Sequence, residues 1–349
     1  MEFFALRPGY EISRVIRGGW QLAGGHGAID RSAAVSDLVA SADAGMTTFD
    51  CADIYTGVEE IMGEFRSAYR KKRGTQALGR IKVHTKFVPD LDILPKISKA
   101  HVAGVIDQSL GRLRMERLDL VQFHWWDYTV PGYLDAASWL VELQQEGKIH
   151  LLGGTNFDTP HSAGLIAHGY PLASMQVQYS LLDARPEHGL TALGGRHDMH
   201  LLCYGSVAGG FLSDRWLGEA EPRPPFENRS LVKYKLVIDD FGGWELFQHL
   251  LATLRSIADA YGSDIATVAS RAMLERPQVA AVIVGARNQS HLEANMAIAG
   301  LGLGAPDLAR IDAVLRQRQG PQGDAFTLER DRSGRHGAIM KYNLNKGAA

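Results

Sequence analysis

Cysteine is scarce in this sequence: Cys51 and Cys203 are the two in 349 residues. Both fall in or at the ends of strand-like segments without metal-knuckle spacing, which speaks against a disulfide scaffold and a cysteine-bound metal. A reduced, cytoplasmic setting is the simple expectation. Long apolar runs are missing too, and none approaches the ~20 residues of a membrane span. The opening MEFFALRPGYEIS has no basic stretch followed by an apolar one, so no secretory leader is expected. Charge of one sign is also lacking: 37 Lys and Arg face 39 Asp and Glu, for a net −2. That argues against nucleic acid as a partner, because counterion release needs a basic surface. The basic run Arg70, Lys71, Lys72, Arg73 reads as a solvated helix end. What is present, 45% hydrophobic and 22% charged residues, suits a globular chain with a large core.

Short β-rich runs alternate with longer helical stretches. Candidate strands are 13–20, 47–50, 82–87, 118–124, 149–156, 174–179, 201–206 and 280–286. Candidate helices lie near 32–45, 58–72, 98–114, 133–146, 159–168, 185–194, 243–262 and 289–299. LDLVQF and AAVIVGA are apolar runs of the kind buried parallel strands show. Strand ends at Asp50, Lys86, His124 and Asn156 are 36, 38 and 32 residues apart, room for one strand, one helix and two loops. Eight such units predict a (β/α)8 barrel in one domain spanning 1–349, with the barrel over about 12–300 and a helix and tail over 305–349. The competing architecture is an open doubly wound sheet, which needs fewer units and a domain break.

Two stretches interrupt the rhythm. Residues 212–242 read as a long irregular insertion carrying Arg215, Arg223, Arg229, Lys233 and Lys235. Such a segment suits a lid over a phosphate-bearing ligand, and the expectation is that it orders with that ligand. The tail from about 319, rich in Gly, Pro and charge, either packs over a barrel end or frays.

Barrel chemistry gathers at the carboxyl ends of strands. TTFDCADIYTG (47–57) places Asp50 at such an end and Tyr55 in the loop after it; Lys86 and His124 end the next two strands. A tyrosine with a pKa of about 10 is a poor acid at neutral pH. A neighbouring ammonium favours its phenolate and lowers that value. An aspartate would hold the ammonium, and a histidine would hydrogen-bond a carbonyl oxygen. The set describes a tuned general acid that protonates an oxygen as it becomes an alkoxide. Delivery of a hydride to the carbonyl carbon would complete the reduction of an aldehyde or ketone, and the hydride needs a cofactor. Singly, each residue also has an ordinary role: a cap, a loop aromatic, a solvated charge, a buried histidine. Four of them gathered at three consecutive strand ends is a different matter.

FDCADIYTG, EEIMGE (59–64), KVHTKF (82–87), SLGRLRMERLDLVQFH (109–124) and GKIHLLGGTNF (147–157) together resemble the aldo-keto reductase superfamily, over the chain to about residue 318. The resemblance implies a catalytic tetrad of Asp50, Tyr55, Lys86 and His124, with Asp53 outside the chemistry. It implies NADPH as cofactor, with NADH possible, bound extended across the barrel mouth. Thr155, Asn156 and Gln176 match positions that hold the carboxamide, and Tyr204 matches the ring that stacks on the nicotinamide. Gly205, Ser206, Val207, Ala208 and Gly209 match the backbone contacts to the pyrophosphate, and Gly19, Trp20, Gly285 and Arg229 complete the expected contacts. Arg287, at the start of GARNQSHLEAN (285–295), would take the 2′-phosphate, followed by His291 and Asn295. Ala294 and His291 depart from the family pattern, where Glu and Gln are common. Trp20 and Trp125 are expected to line the substrate pocket.

GLGLGA (300–305) follows a helix, so it reads as an inter-helix loop and not a Rossmann turn. HDMH (197–200) fails as a metal pair at strand geometry, since its two histidines would face opposite sides. Two other readings remain at this stage: a slow regulatory subunit like the channel-associated members of the family, and a different barrel enzyme acting on phosphorylated substrates. The expected partner is a small carbonyl compound, with no nucleic acid and no membrane; the sequence gives neither the oligomeric state nor the substrate.

Overall fold

The computed structural model describes residues 1–24, 29–286 and 288–345. Among the described residues ten strands form two sheets: β1 (Phe3–Arg7), β2 (Tyr10–Ser13), β3 (Val15–Gly18), β4 (Thr48–Asp50), β5 (Lys82–Phe87), β6 (Leu118–Phe123), β7 (Ile149–Thr155), β8 (Leu172–Gln178), β9 (His200–Tyr204) and β10 (Val279–Gly285). β3 to β10 pair in parallel and close on themselves as a barrel, β10 hydrogen-bonding β3 and β9. The (β/α)8 expectation holds and the open sheet does not.

The barrel forms because each strand is buried on both faces, the outward one apolar. Phe49, Val83, Val121, Leu152, Val177 and Cys203 pack outward under the helices, in one continuous core. Ile16, Leu120, Leu202 and Ala280 form a second cluster with Leu6, Tyr10 and Ile12 of the β1–β2 hairpin. The hairpin, unforeseen in the sequence, therefore lies against the lumen at the end opposite the strands' carboxyl ends. Ser13 and Thr48 lock it by a reciprocal pair of hydrogen bonds of 2.9 and 3.1 Å. Helix starts are set by side-chain caps at Asp30, Ser98, Asp158, Asn228 and Asp264.

Several expected boundaries change. The 185–194 stretch is a short 3-10 turn, Arg185–His188, followed by a helix, Leu190–His197. The 289–299 helix begins later, at Leu292, after a 3-10 turn. The 212–242 insertion is not irregular throughout: Arg229–Phe241 is an amphipathic helix capped by Asn228, with Leu231, Tyr234, Val237, Ile238 and Phe241 buried. Apolar residues at i, i+3, i+6, i+7 and i+10 were a helical signal that the prolines before them obscured. The described part of the tail, 319–345, packs over the barrel end. Thr327–Arg330 is a short helix, and the chain beyond it returns to the barrel mouth, where Leu91 donates to Tyr342 O at 2.9 Å. Cys51 and Cys203 are both free and buried.

Candidate active site

Alternation along β5 puts Thr85 and Phe87 on one face and Lys86 on the other, so Lys86 enters the lumen near the carboxyl end. Its Nζ donates to Asp50 Oδ2 at 2.6 Å and to Cys51 O at 2.8 Å. Both side chains are almost wholly buried. Asp50 Oδ1 accepts from Gln122 Nε2 at 3.0 Å and from Gln176 Nε2 at 2.6 Å, and Gln176 also donates to Gln122 Oε1. Side chains from three strands, β5, β6 and β8, thus fix the one carboxylate on β4. Gln122 was missed in the sequence; its place two residues before His124, on the same face of β6, was the available signal. Burial opposes the Lys86 charge, but Asp50 outweighs it and holds the pKa above the ordinary lysine value.

Lys86 Nζ sits 4.8 Å from the centre of the Tyr55 ring, whose other neighbour is Trp20, edge-on at 5.0 Å. The Tyr55 pKa is raised, contrary to the lowering expected from lysine alone. Burial is the larger influence, and Lys86 only partly offsets it. Tyr55 is consequently a phenol with its proton in place. Asp53 braces the loop: its carboxylate accepts from Ile54 N and Val88 N, both at 2.9 Å. Gly19 lets the chain approach this wall. Its N–H reaches Asp50 O at 2.7 Å, where a side-chain Cβ would lie 2.9 Å from that oxygen.

His124 follows β6 and is buried. Its Nδ1 lies 2.9 Å from Thr155 O. A carbonyl only accepts, so Nδ1 carries the hydrogen. Burial, then the Arg330 charge, push the pKa down to about 3. The neutral ring then has Nε2 as an acceptor, and Nε2 has no partner among the described residues. In this tautomer Nε2 is a free acceptor, suited to a hydroxyl, whereas the sequence alone suggests a hydrogen bond to a carbonyl oxygen.

The expected cofactor positions fall around the same mouth. Tyr204 Oη donates to Asn156 Oδ1 at 2.9 Å, and Asn156 takes a left-handed conformation with φ 61°. Gln176 is committed through its nitrogen to Asp50, which leaves Oε1 for a ligand. Gly205 to Gly209 form the turn after β9, in which Ala208 N closes onto Gly205 O and Val207 O accepts from Gly210 N. Ser206 Oγ faces Ser270 Oγ at 3.1 Å. Gly205 has φ 78°, and a Cβ there would meet Tyr234 Oη at 2.2 Å. The helix that carries Tyr234 is therefore seated on the turn. Gly285 ends β10, His291 is exposed, and Asn295 is buried with Nδ2 unpartnered. Arg287 lies outside the described residues. Arg229 opens a helix and donates to Ile339 O of the tail.

Trp125 does not line the mouth. It is fully buried, and its Nε1 donates to Asp127 O and Val130 O. Trp126 takes the place beside His124, edge-on at 4.3 Å. The tail supplies residues the motifs never named. Phe326 stands edge-on to His124 at 5.7 Å. Arg330 donates to Asn156 O at 2.8 Å and Trp125 O at 2.7 Å and lies 4.2 Å over Tyr128. Glu329 is fully buried against Arg185, which also grips Asp183. No group of metal-ligating side chains is found among the described residues, and no helix described is long and apolar enough to cross a membrane.

Comparison with known proteins agrees with this architecture. The aldo-keto reductase YhdN of Bacillus subtilis (strain 168) is 26% identical over 342 residues, covering 93% of this chain and 97% of its own. A glycerol dehydrogenase from Gluconobacter oxydans superposes with a TM-score of 0.75 at 23% identity, over 90% of this chain and 95% of its own. An aldo/keto reductase from Klebsiella pneumoniae, solved with NADP and acetate, gives 0.68 at 22% identity, over 92% and 97%. Those two structures speak for the fold. The sequence profile of the Aldo/keto reductase family matches residues 14–316, from the first barrel strand to the helix beyond the last, and on that match the chain belongs to the aldo/keto reductase family of oxidoreductases.

Proposed function

We propose that the protein reduces an aldehyde or ketone to the alcohol, reversibly, with NADPH as the favoured cofactor and NADH as the alternative. The observation that carries this is the buried Lys86 ammonium, 2.6 Å from Asp50 and 4.8 Å over the Tyr55 ring, at the carboxyl end of the barrel. The residues fit a nicotinamide dinucleotide. Trp20 and Tyr204 offer ring faces at the mouth, Asn295 Nδ2 is a buried donor with no partner, and the Gly205–Gly209 turn admits a close backbone approach. The Klebsiella neighbour holds NADP, which supports that choice.

When bound, the cofactor supplies the hydride. Tyr55 donates its proton to the carbonyl oxygen as negative charge grows there. Lys86 stabilises the phenolate that is left, and Asp50, fixed by two glutamine amides, keeps Lys86 aimed. His124 Nε2 accepts from the hydroxyl of the alcohol, which orients product in one direction and substrate in the other. Trp126 and Phe326 keep the histidine dry and neutral. In this reading the barrel and its tail act as one catalytic unit in the cytoplasm.

Loss of absorbance at 340 nm (a standard assay wavelength) on mixing protein, NADPH and a panel of aldehydes tests the reading. Tyr55-dependent turnover supports it. Cofactor binding without turnover on any carbonyl would favour a regulatory role. Arg287→Ala checks the cofactor preference: NADPH binding should weaken far more than NADH binding, by the worth of a charge-assisted contact, about 1.5–3 kcal/mol.

A further inference from the structure

Five cations lie in the segment after β9, and four of them have visible occupations. Arg215 pairs with Glu227, Lys235 with Glu221 and Asp239, Arg229 holds the tail carbonyl of Ile339, and Arg223 is exposed to solvent. Lys233 is different. It is half-buried and turned inward, with its ammonium 5.2 Å from the ring centre of Tyr204, 5.6 Å from Tyr234 and 6.0 Å from Phe326. Among the described residues no carboxylate lies within 4 Å of it. Three aromatic faces hold the cation, but none satisfies its three N–H donors.

The nearest acids are already taken. Arg185 binds Asp183 at 2.7 Å and Glu329 at 2.8 Å. Asp158 caps its own helix and meets His161 Nδ1 at 2.6 Å. Across the mouth, Lys86 balances Asp50. Arg185 and Lys233 together balance Asp183 and Glu329. Arg330, stacked on Tyr128 and 5.3 Å from Phe326, lies in the field of the Asp158 carboxylate, beside a neutral His124. The wall made by Tyr204, Phe326 and Arg330 thus presents Lys233 as a cation met by rings and not by a contacting carboxylate, and Phe326 links it directly to His124.

We propose that Lys233, in the field of Arg330, is a subsite for an anionic group, carboxylate or phosphate, carried by the carbonyl substrate. The inference rests on the reductase reading and names its substrate class: an aldehyde or ketone whose anionic end lies on the Tyr204–Phe326 side while its carbonyl meets Tyr55. The same chemistry has a second source, the phosphates of the cofactor, and the experiment separates the two.

The probes are 4-carboxybenzaldehyde and its neutral methyl ester, each reduced with NADPH. The wild-type protein should favour the carboxylate in kcat/KM. Lys233→Met should lower the carboxylate-to-ester ratio by about 10- to 100-fold, the worth of one charge-assisted contact, and chiefly through KM. Lys233→Arg should keep most of the ratio, and Arg223→Gln, on the exposed part of the same segment, should leave it unchanged. A ratio unmoved by Lys233→Met overturns the proposal. So does a fall in NADPH affinity, read by tryptophan fluorescence, that accounts for the whole effect on both substrates; the anion is then the cofactor's. A binding titration with 4-carboxybenzaldehyde, without turnover, isolates the two readings. Lys233-dependent binding without any reduction would sink the reductase reading and keep the subsite, while Tyr55-dependent reduction with no carboxylate preference would do the reverse.

Discussion

The two walls of the barrel mouth are built on opposite principles. On the β4–β6 side the charges are met by the barrel's strands and the loops that follow them: Lys86 on Asp50, Asp50 on Gln122 and, across the lumen, Gln176 of β8, Asp53 on the backbone amides of Ile54 and Val88. On the β7–β9 side the cations come from outside the barrel, Lys233 from a late helix and Arg330 from the tail, and aromatic rings stand where carboxylates would be expected. A closed network fixes geometry and so suits the chemical step, which is sensitive to small displacements. An open one leaves donors for a ligand to satisfy, and so suits selection among substrates. The first wall is rigid because strands carry it. The second is held by one buried clasp, Arg185 with Asp183 and Glu329.

The comparison is broken most sharply at Tyr55. Tyr55→Phe should cost about 10²- to 10⁴-fold in kcat while leaving NADPH binding and melting temperature near those of the wild type. Retention of more than about a tenth of the turnover would remove Tyr55 as the acid.

The opposite wall should fail in the opposite manner. Glu329→Gln leaves Arg185 with one anionic partner fewer, and breaking such a buried pair costs about 3–5 kcal/mol. Burial disfavours the Glu329 charge, yet Arg185 and then Lys233 hold its pKa down at about 2, so it is ionised at neutral pH. The variant should melt lower, and limited proteolysis should cut first within 319–345. Cutting at the same sites and rate as the wild type would mean the clasp does not hold the tail.

Acid should separate the lumen's lower layer from both walls. His84 lies two residues before Lys86 on the same face of β5; neither ring nitrogen has a described partner, and burial pushes its pKa down to about 4. The unfolded value is near 6.5. Above that pH both states are neutral and the contribution to stability is complete. As pH falls from about 6.5 towards 4, the unfolded chain takes up a proton that the folded one refuses, so stability drops, by about 3 kcal/mol for this group. His124, with a pKa of about 3, adds to the loss at still lower pH. Urea unfolding of the wild type and His84→Leu across pH 4–7 checks this: the wild-type curve should be the steeper, and parallel curves would show that His84 does not titrate as described.

The smallest effect is expected at Gln122. Gln122→Leu removes one of the donors to Asp50 and leaves Gln176 and Lys86 in place. A fall in kcat of about tenfold or less is expected, with KM little changed. A loss as large as that of Tyr55→Phe would show that the carboxylate depends on both amides to hold Lys86.

The sequence by itself determined the barrel and the strand ends at which Asp50, Lys86 and His124 gather. Parallel strands buried on both faces read as apolar runs, and functional residues at strand ends recur at the period of the β/α unit, so Asp50, Lys86 and His124 were visible from spacing. Local signals failed where a partner is remote in the chain. The β1–β2 hairpin is recognisable only against the lumen it meets, and the 229–241 helix was hidden behind Pro222, Pro224 and Pro225. Trp125 and Trp126 are adjacent and chemically alike, and only packing sends the first into the shell and the second to His124. The tautomer of His124 depends on a carbonyl 31 residues away, and the pKa of Tyr55 on how far burial outweighs a lysine. The same holds for Lys233 and Arg330: a cation's sequence neighbours do not say whether an acid or an aromatic ring will face it, because that is settled when helix and tail close over the mouth.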